Sequence, residues 1–168
     1  MKLPTIASLK TLPRSTLLVA LVISGMCAET GGGFMVIPVL VVLVFIYSFG
    51  LLNAIHNPAV RRPLAMRAAI WLVAFATIFS IHFVRSQLLR SHAEDMLARI
   101  DAYAAAHGHC APGIEDLGIS REEMTSRLGY SYYMCEDGRQ VFYYAASFTV
   151  FSMWRYDFQK RTWHLHYS

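Results

Sequence analysis

The stretch FMVIPVLVVLVFIYSFGLLNAI, residues 34–55, determines the class of this chain. It carries no charged side chain, and its polar interruptions are Tyr47, Ser48 and Asn53. At a rise of about 1.5 Å per residue, a helix of this length crosses the roughly 30 Å hydrocarbon core of a bilayer. The sequence therefore predicts a transmembrane helix over residues 34–55.

Two shorter apolar segments flank this helix. Residues 68–84 form a second uncharged run at the short end of the spanning range, and His82 and Arg85 mark its expected membrane interface. Residues 15–28 are shorter still and span only if the polar residues before them snorkel to the headgroups. We expect three transmembrane helices, at about 15–28, 34–55 and 68–84, within a membrane region formed by residues 1–84.

The first segment has an alternative interpretation as a cleaved signal peptide, because basic residues precede a short apolar run that ends in small residues. A small-x-small cleavage site would place the large side chain of Met26 at the critical position before Ala28. That favours a retained helix, and the remaining topology is the same in both cases.

The whole composition agrees with a membrane protein. Of the 168 residues, 55% are hydrophobic and 15% are charged, and the mean hydropathy is +0.39. Up to Val84 the chain carries six basic residues and one acid, whereas from Arg85 it carries nine basic residues and ten acids. The basic excess therefore lies in the membrane region, and the rest of the chain has no basic stripe, which argues against a nucleic-acid partner.

The positions of the basic residues also predict orientation. The N-terminal arm and the loop 57–67 hold all six basic residues of the membrane region, whereas the turn 29–33 holds none. Because Lys and Arg accumulate on the cytoplasmic side, we expect a cytoplasmic N-terminus in a bacterial inner membrane and residues 85–168 in the periplasm.

Residues 85–168 predict a small α+β domain, in which a long helix packs on a four-stranded antiparallel meander. Apolar side chains recur at helical spacing after Arg85 and end at Gly108, so that one rod is expected over residues 68–107. Ser120 and Glu123 predict a capping box that opens a second helix. Alternating aromatic residues then predict strands at 130–136, 139–146, 150–158 and 162–167, with Asp137-Gly138 as a type I′ hairpin turn.

Cys110 and Cys135 are the two cysteines outside the membrane segments. In an oxidising compartment we expect them to form a disulfide bond, whereas the alternative is a pair of buried thiols.

The stretch from Asp101 to Gly118, with His107-Gly108-His109-Cys110-Ala111-Pro112 and Ile114-Glu115-Asp116-Leu117-Gly118, resembles the end of a type IV pseudopilin stem helix and the loop after it. Residues 68–168 as a whole resemble the pilin and pseudopilin architecture of membrane stem and meander. The resemblance implies a protein-interaction domain without catalysis. The chain departs from the pilin leader, because the fifth position after the Gly33-Phe34 junction is Pro38 and not Glu.

The sequence contains no catalytic motif for a nucleophile, a phosphate-binding loop or a zinc hydrolase, so we expect no enzyme activity, no cofactor and no small-molecule substrate. His107, His109, His164 and His166 are the candidates for a metal site if the helix end meets the last strand. Because carboxylate and thiolate ligands are missing at suitable spacing, exposed histidines are the alternative.

The abundance of Tyr and Trp in the strands indicates a protein-binding face, since one side of each strand would remain exposed. We expect Trp154, Arg155, Tyr156 and Trp163 to bind the partner, with Trp154 and Tyr156 on one face and Arg155 on the other. A core that uses both faces is the alternative. The predicted function is a membrane-anchored protein-binding protein, such as an immunity protein that neutralises a toxin, and the alternative is a pseudopilin-like subunit of a secretion or pilus machine.

Overall fold

A computed structural model describes residues 14–29, 31–136, 138–149 and 151–167. The chain divides between Ile81 and His82 into two compact units, which we call the N-terminal unit and the C-terminal unit. Residues 1–13 of the basic N-terminal arm, Asp137 of the expected hairpin turn and Val150 at the expected start of the third strand lie outside the described residues.

The N-terminal unit is helical. Helix α1 covers Arg14–Ala28, α2 covers Val36–His56, and α3 begins at Arg61 and continues to His107. Among the described residues, α2 and α3 are long and apolar enough to cross a membrane, whereas α1 has 15 residues and falls short of that length. We expected three transmembrane helices; an apolar helix lies at each expected position, and two of the three are long enough to cross a membrane.

The apolar surface of this unit is mostly exposed. A small cluster of Cys27, Val36 and Ile78 is buried and brings the three helices together. Large apolar side chains elsewhere in the unit are exposed. In α2 they include Val41, Phe45, Ile46, Phe49 and Leu51, each at least 57% exposed. Soluble proteins rarely leave an apolar surface of this extent in water.

The C-terminal unit is an α+β domain, as the sequence predicts. Helix α3 ends at His107, where Gly108 adopts a left-handed φ of 75° and donates its N–H to the Ala104 carbonyl. Helix α4 covers Arg121–Leu128, and the Ser120 hydroxyl accepts the Glu123 N–H at 3.0 Å, as the capping box requires.

Four strands form one antiparallel sheet in sequence order: β1 (Ser131–Glu136), β2 (Arg139–Ala145), β3 (Ser152–Asp157) and β4 (Thr162–Tyr167). The meander is therefore confirmed, and β3 is shorter than expected because Ala146 donates its N–H to Ser152 and begins a loop there. Glu136 pairs with Arg139, so two residues join β1 and β2.

The core of the domain lies between α3 and the sheet. Ala93, Met96, Leu97 and Ile100 recur at three- and four-residue spacing on α3 and are at most 5% exposed. They form one cluster with Phe142, which is fully buried. The helical periodicity of the sequence thus identifies the buried stripe correctly.

A disulfide bond joins Cys110 to Cys135, whose Cα atoms lie 6.1 Å apart. It connects the loop after α3 with β1, and two hydrogen bonds support the same junction: Tyr133 donates its hydroxyl to the Ala111 carbonyl at 3.1 Å, and Cys135 donates its N–H to the Pro112 carbonyl at 3.4 Å. Burial raises the pKa of Tyr133, which keeps this phenol protonated as a donor.

The disulfide generates the first prediction. Cys110→Ser should lower the free energy of unfolding of the C-terminal unit by about 2–5 kcal/mol, because the unfolded chain loses a closed loop of 25 residues. Hydrogen exchange of the β1 and β2 amides, read by mass spectrometry on the full chain in detergent, measures this change. Cys27→Ala, in the other unit, is the matched control and should leave these amides unchanged. Equal protection in Cys110→Ser and the native chain would contradict the prediction.

Candidate functional site

The register of the sheet separates its aromatic side chains into two faces. One row crosses all four strands on the side that meets α3, because Tyr133 pairs with Phe142, Phe142 with Tyr156, and Tyr156 with Trp163. We call this the inner row. Neighbouring rings of the inner row contact each other, with centroids 5.5 Å apart for Phe142 and Trp163 and 5.1 Å apart for Tyr156 and Trp163.

The inner row and its neighbours are part of the domain's core. Trp154, Tyr156 and Trp163 are partly buried against the cluster that α3 forms with the sheet. Two side chains of α3 also contact Trp163. Its indole N–H donates to Glu94 Oε1 at 3.0 Å, and the Arg90 guanidinium lies over the ring, 4.8 Å from its centroid. Three of the four expected partner-binding residues thus stabilise the domain.

Arg155 lies on the opposite side of the sheet. It pairs with Tyr143 on β2 and His164 on β4, and Tyr143 pairs with Tyr132 on β1. Cross-strand partners share a face, so these four residues form a second row on the solvent side, which we call the outer row. The expected alternation of Arg155 against Trp154 and Tyr156 is confirmed, whereas a binding role for any of the four residues stays a prediction.

The outer row combines a tyrosine stack with a free cation. The rings of Tyr132 and Tyr143 stack at 5.4 Å with an interplanar angle of 27°, and Tyr132 is 41% exposed. Desolvation raises the pKa of Tyr143, and the neighbouring tyrosines add to that shift. Arg155 is exposed and forms no ion pair with a described residue, so its guanidinium remains available.

A cleft of about 670 Å³ adjoins the row. Arg139, Arg155, Asp157 and His164 supply its charged and titratable side chains. The carboxylate of Asp157 is hydrogen-bonded within the turn after β3. Its Oδ1 accepts the N–H groups of Gln159 at 2.9 Å and Lys160 at 3.0 Å. The cleft therefore offers two guanidinium groups to a partner.

The four histidines considered for metal binding form two separate pairs. His107 stacks on Tyr103 at 4.0 Å and its ring lies 6.1 Å from that of His109, at the end of α3. His164 and His166 lie on the solvent face of β4, and His164 Nε2 is 2.9 Å from the Thr162 hydroxyl. Within the part of the chain that the structure describes, no three His, Cys, Asp or Glu side chains are grouped as metal ligands.

The pairing of Tyr132 with Tyr143 was not among the expectations from the sequence. The signal was present, since the hairpin turn that the sequence predicts at Asp137-Gly138 would place Glu136 opposite Arg139 and, four residues back, Tyr132 opposite Tyr143, as is found in the register of β1 and β2. The pairing of Arg155 with His164 follows from the loop between β3 and β4, where Asp157 pairs with Thr162.

Comparison with known proteins found no matching family model, no matching curated protein and no matching solved structure.

Asp157 generates a prediction about pH. The Lys160 N–H bond, assisted by the Gln159 N–H, lowers the pKa of Asp157 below its ordinary value. A lowered folded-state pKa stabilises the fold above the ordinary aspartate pKa, and this contribution is lost as the pH falls through the folded-state value. The native chain should therefore exceed Asp157→Asn in stability at pH 7, and the difference should shrink on acidification through about pH 4 and below.

Denaturant unfolding at a series of pH values measures this difference. Asp95→Asn is the matched control, because Asp95 is exposed on α3 and its carboxylate accepts no hydrogen bond from a described residue. A pH-independent difference for Asp157→Asn, or the same pH dependence in both variants, would remove the turn as its cause.

Proposed function

We propose that this protein is anchored in a bacterial inner membrane and that its C-terminal unit binds another protein in the periplasm through the outer row. The observation that carries the proposal is the exposed row of Tyr132, Tyr143, Arg155 and His164, in which stacked tyrosines adjoin an arginine without a described ionic partner.

Membrane anchoring is supported by the exposed apolar helices. Leu, Val, Ile and Phe side chains that are more than half exposed surround α2, and burying them in lipid removes the cost of hydrating them. We further propose that α1 crosses the membrane with its flanking residues, so that the chain crosses three times and α3 runs outward. The disulfide supports this orientation, because structural disulfides persist in the periplasm and are rare in the cytosol.

The proposed topology predicts the activity of reporter fusions. Alkaline phosphatase, which folds in the periplasm, should be active when fused after Ser168 and inactive when fused after Arg62. The reason is that Arg61, Arg62 and Arg67 hold the second loop on the cytoplasmic side. A cytoplasm-active reporter at the same two positions is the control and should give the opposite pattern. Active phosphatase at Arg62 would exclude this topology.

Protein binding by the outer row is supported by the chemistry of its side chains. Tyr and Arg are enriched where interfaces concentrate their binding energy, because they offer large, amphipathic contact area and several hydrogen-bonding groups. Stacking fixes the rings of Tyr132 and Tyr143 before a partner arrives, which lowers the entropy lost on binding.

Substitution of the outer row tests this binding. The full chain, purified in detergent from its native membranes, should retain a specific partner that mass spectrometry identifies. Arg155→Ala and Tyr132→Ala should each reduce the retained amount about tenfold or more, as expected when a binding hot spot is truncated. Arg99→Ala is the matched control, since Arg99 is exposed on α3 and forms no ion pair with a described residue. Equal retention by all variants would move the interface away from the outer row.

An immunity protein that neutralises an incoming toxin is the role that we propose for such a domain, on the basis of its size and membrane anchoring; a toxin gene beside this gene would support it. A pseudopilin-like subunit is the second candidate. It is favoured by α3, which continues without interruption from apolar sequence into the stem that packs on the meander. Secretion or pilus genes in the neighbourhood would support that alternative.

A further inference from the structure

One end of the C-terminal unit is defined by a hydrogen bond and a ring contact at His82, the first residue of the unit. The Ser147 hydroxyl donates to the His82 carbonyl at 3.2 Å, and the ring of His82 packs edge-on against Phe148 with centroids 5.3 Å apart. Ser147 and Phe148 belong to the loop between β2 and β3. This loop therefore lies beside the residues with which α3 enters the unit.

The same end also includes the last residue of β4. Ala146 donates its N–H to Ser152, and Ser152 pairs with Tyr167. The loop, the start of β3 and the end of β4 thus meet near His82. We call this part of the unit the entry end.

The entry end exposes large apolar and aromatic side chains. Tyr167 is 71% exposed and Phe151 is 55% exposed, and on α3 Phe83 and Val84 are 65% and 56% exposed. An aromatic ring of this exposure costs free energy in water unless a partner covers it. The entry end is therefore suited to an occupant of apolar or interfacial character.

Charge is distributed unequally along the sheet. From Gln140 to Trp154 the sequence contains no Asp, Glu, Lys or Arg, and neither does the stretch from Thr162 to its end. The opposite end of the strands carries Glu136, Arg139, Lys160 and Arg161 beside its two turns. The strands and the loop at the entry end thus carry no charged residue, whereas Arg85 follows Val84 on α3 and the far end of the strands is charged.

We propose that the entry end is a lipid-binding surface, in which Phe151 and Tyr167 insert into the headgroup layer of the membrane that α3 crosses. This inference rests on the proposed membrane anchoring. The uncharged run of residues 68–84 ends within the entry end, so the membrane interface is expected at the depth of Phe83 and Val84.

Lipid explains both observations together. Aromatic side chains are enriched at the membrane interface, where an apolar ring and a polar group such as the Tyr167 hydroxyl are both accommodated. The loop and strand residues of the entry end bring no carboxylate or ammonium group near hydrocarbon, and Arg85 on α3 can extend its guanidinium to the headgroups, whereas the charged far end remains in water. Insertion of the two rings would tether the C-terminal unit at its entry end and leave the outer row open to a partner.

Spin labels on the full chain in lipid nanodiscs test the surface. Phe151→Cys and Tyr167→Cys, each made with Cys27→Ala and labelled with a nitroxide, should collide more with membrane-soluble oxygen than with a water-soluble nickel chelate. Lys160→Cys in the same background is the matched control at the far end and should show the reverse. Retention of the Cys110–Cys135 disulfide, checked by mass spectrometry, ensures that the labelled proteins are folded.

The outcomes separate this inference from the anchoring on which it rests. A chain that alkaline carbonate extracts from native membranes would overturn both. A chain that resists extraction, with labels at 151 and 167 as accessible to nickel as the label at 160, would overturn the lipid-binding surface alone. A third outcome would also overturn the lipid-binding surface: labels that neither oxygen nor nickel reaches and that show dipolar coupling between two copies of the chain. The surface would then be an interface between two chains.

Discussion

The packing of one apolar stripe of α3 against the inner row of the sheet is the interaction on which the C-terminal unit depends. Ala93, Met96, Leu97 and Ile100 present small and medium side chains at helical spacing, and the aromatic rings of the sheet fill the space beside them. Phe142 lies at the centre and is fully buried. Because the inner row is buried in this way, it is closed to a partner, which is why we propose binding on the other face.

The ends of the domain are fixed by different means. At the far end, the disulfide and the hydroxyl of Tyr133 hold the loop after α3 to β1. At the entry end, Ser147 and Phe148 hold the β2–β3 loop to the backbone and ring of His82. The unit therefore has a cross-linked, charged end and an end whose loop and strands carry exposed rings and no charge, a polarity that suits the proposed attachment to a membrane at one end only.

This arrangement divides the aromatic residues among three roles. Trp154, Tyr156 and Trp163 stabilise the core, and Arg90 and Glu94 satisfy the polar edge and the face of Trp163. Tyr132 and Tyr143 stack on the open face beside Arg155, where we propose that a protein binds. Phe151 and Tyr167 remain for the proposed contact with lipid. Composition treats these rings alike, whereas the register of the strands separates the buried rings from the exposed ones.

The sequence by itself predicted a membrane-spanning helix from the uncharged run of residues 34–55, and the structure has a helix there that is long and apolar enough to cross a bilayer. It also determined the continuous α3, the cap at Ser120, the four strands and the candidate cysteine pair, since these depend on local periodicity, turn chemistry and cysteine placement. It did not determine which side of the sheet α3 covers. A strand with aromatic residues on both faces, such as β1 with Tyr132 and Tyr133, lacks the apolar and polar alternation that would identify its buried face. Only the tertiary structure decided that Trp154, Tyr156 and Trp163 face the helix and Arg155 faces solvent, because that choice depends on the cross-strand register and on the complementarity between the sheet and the helix.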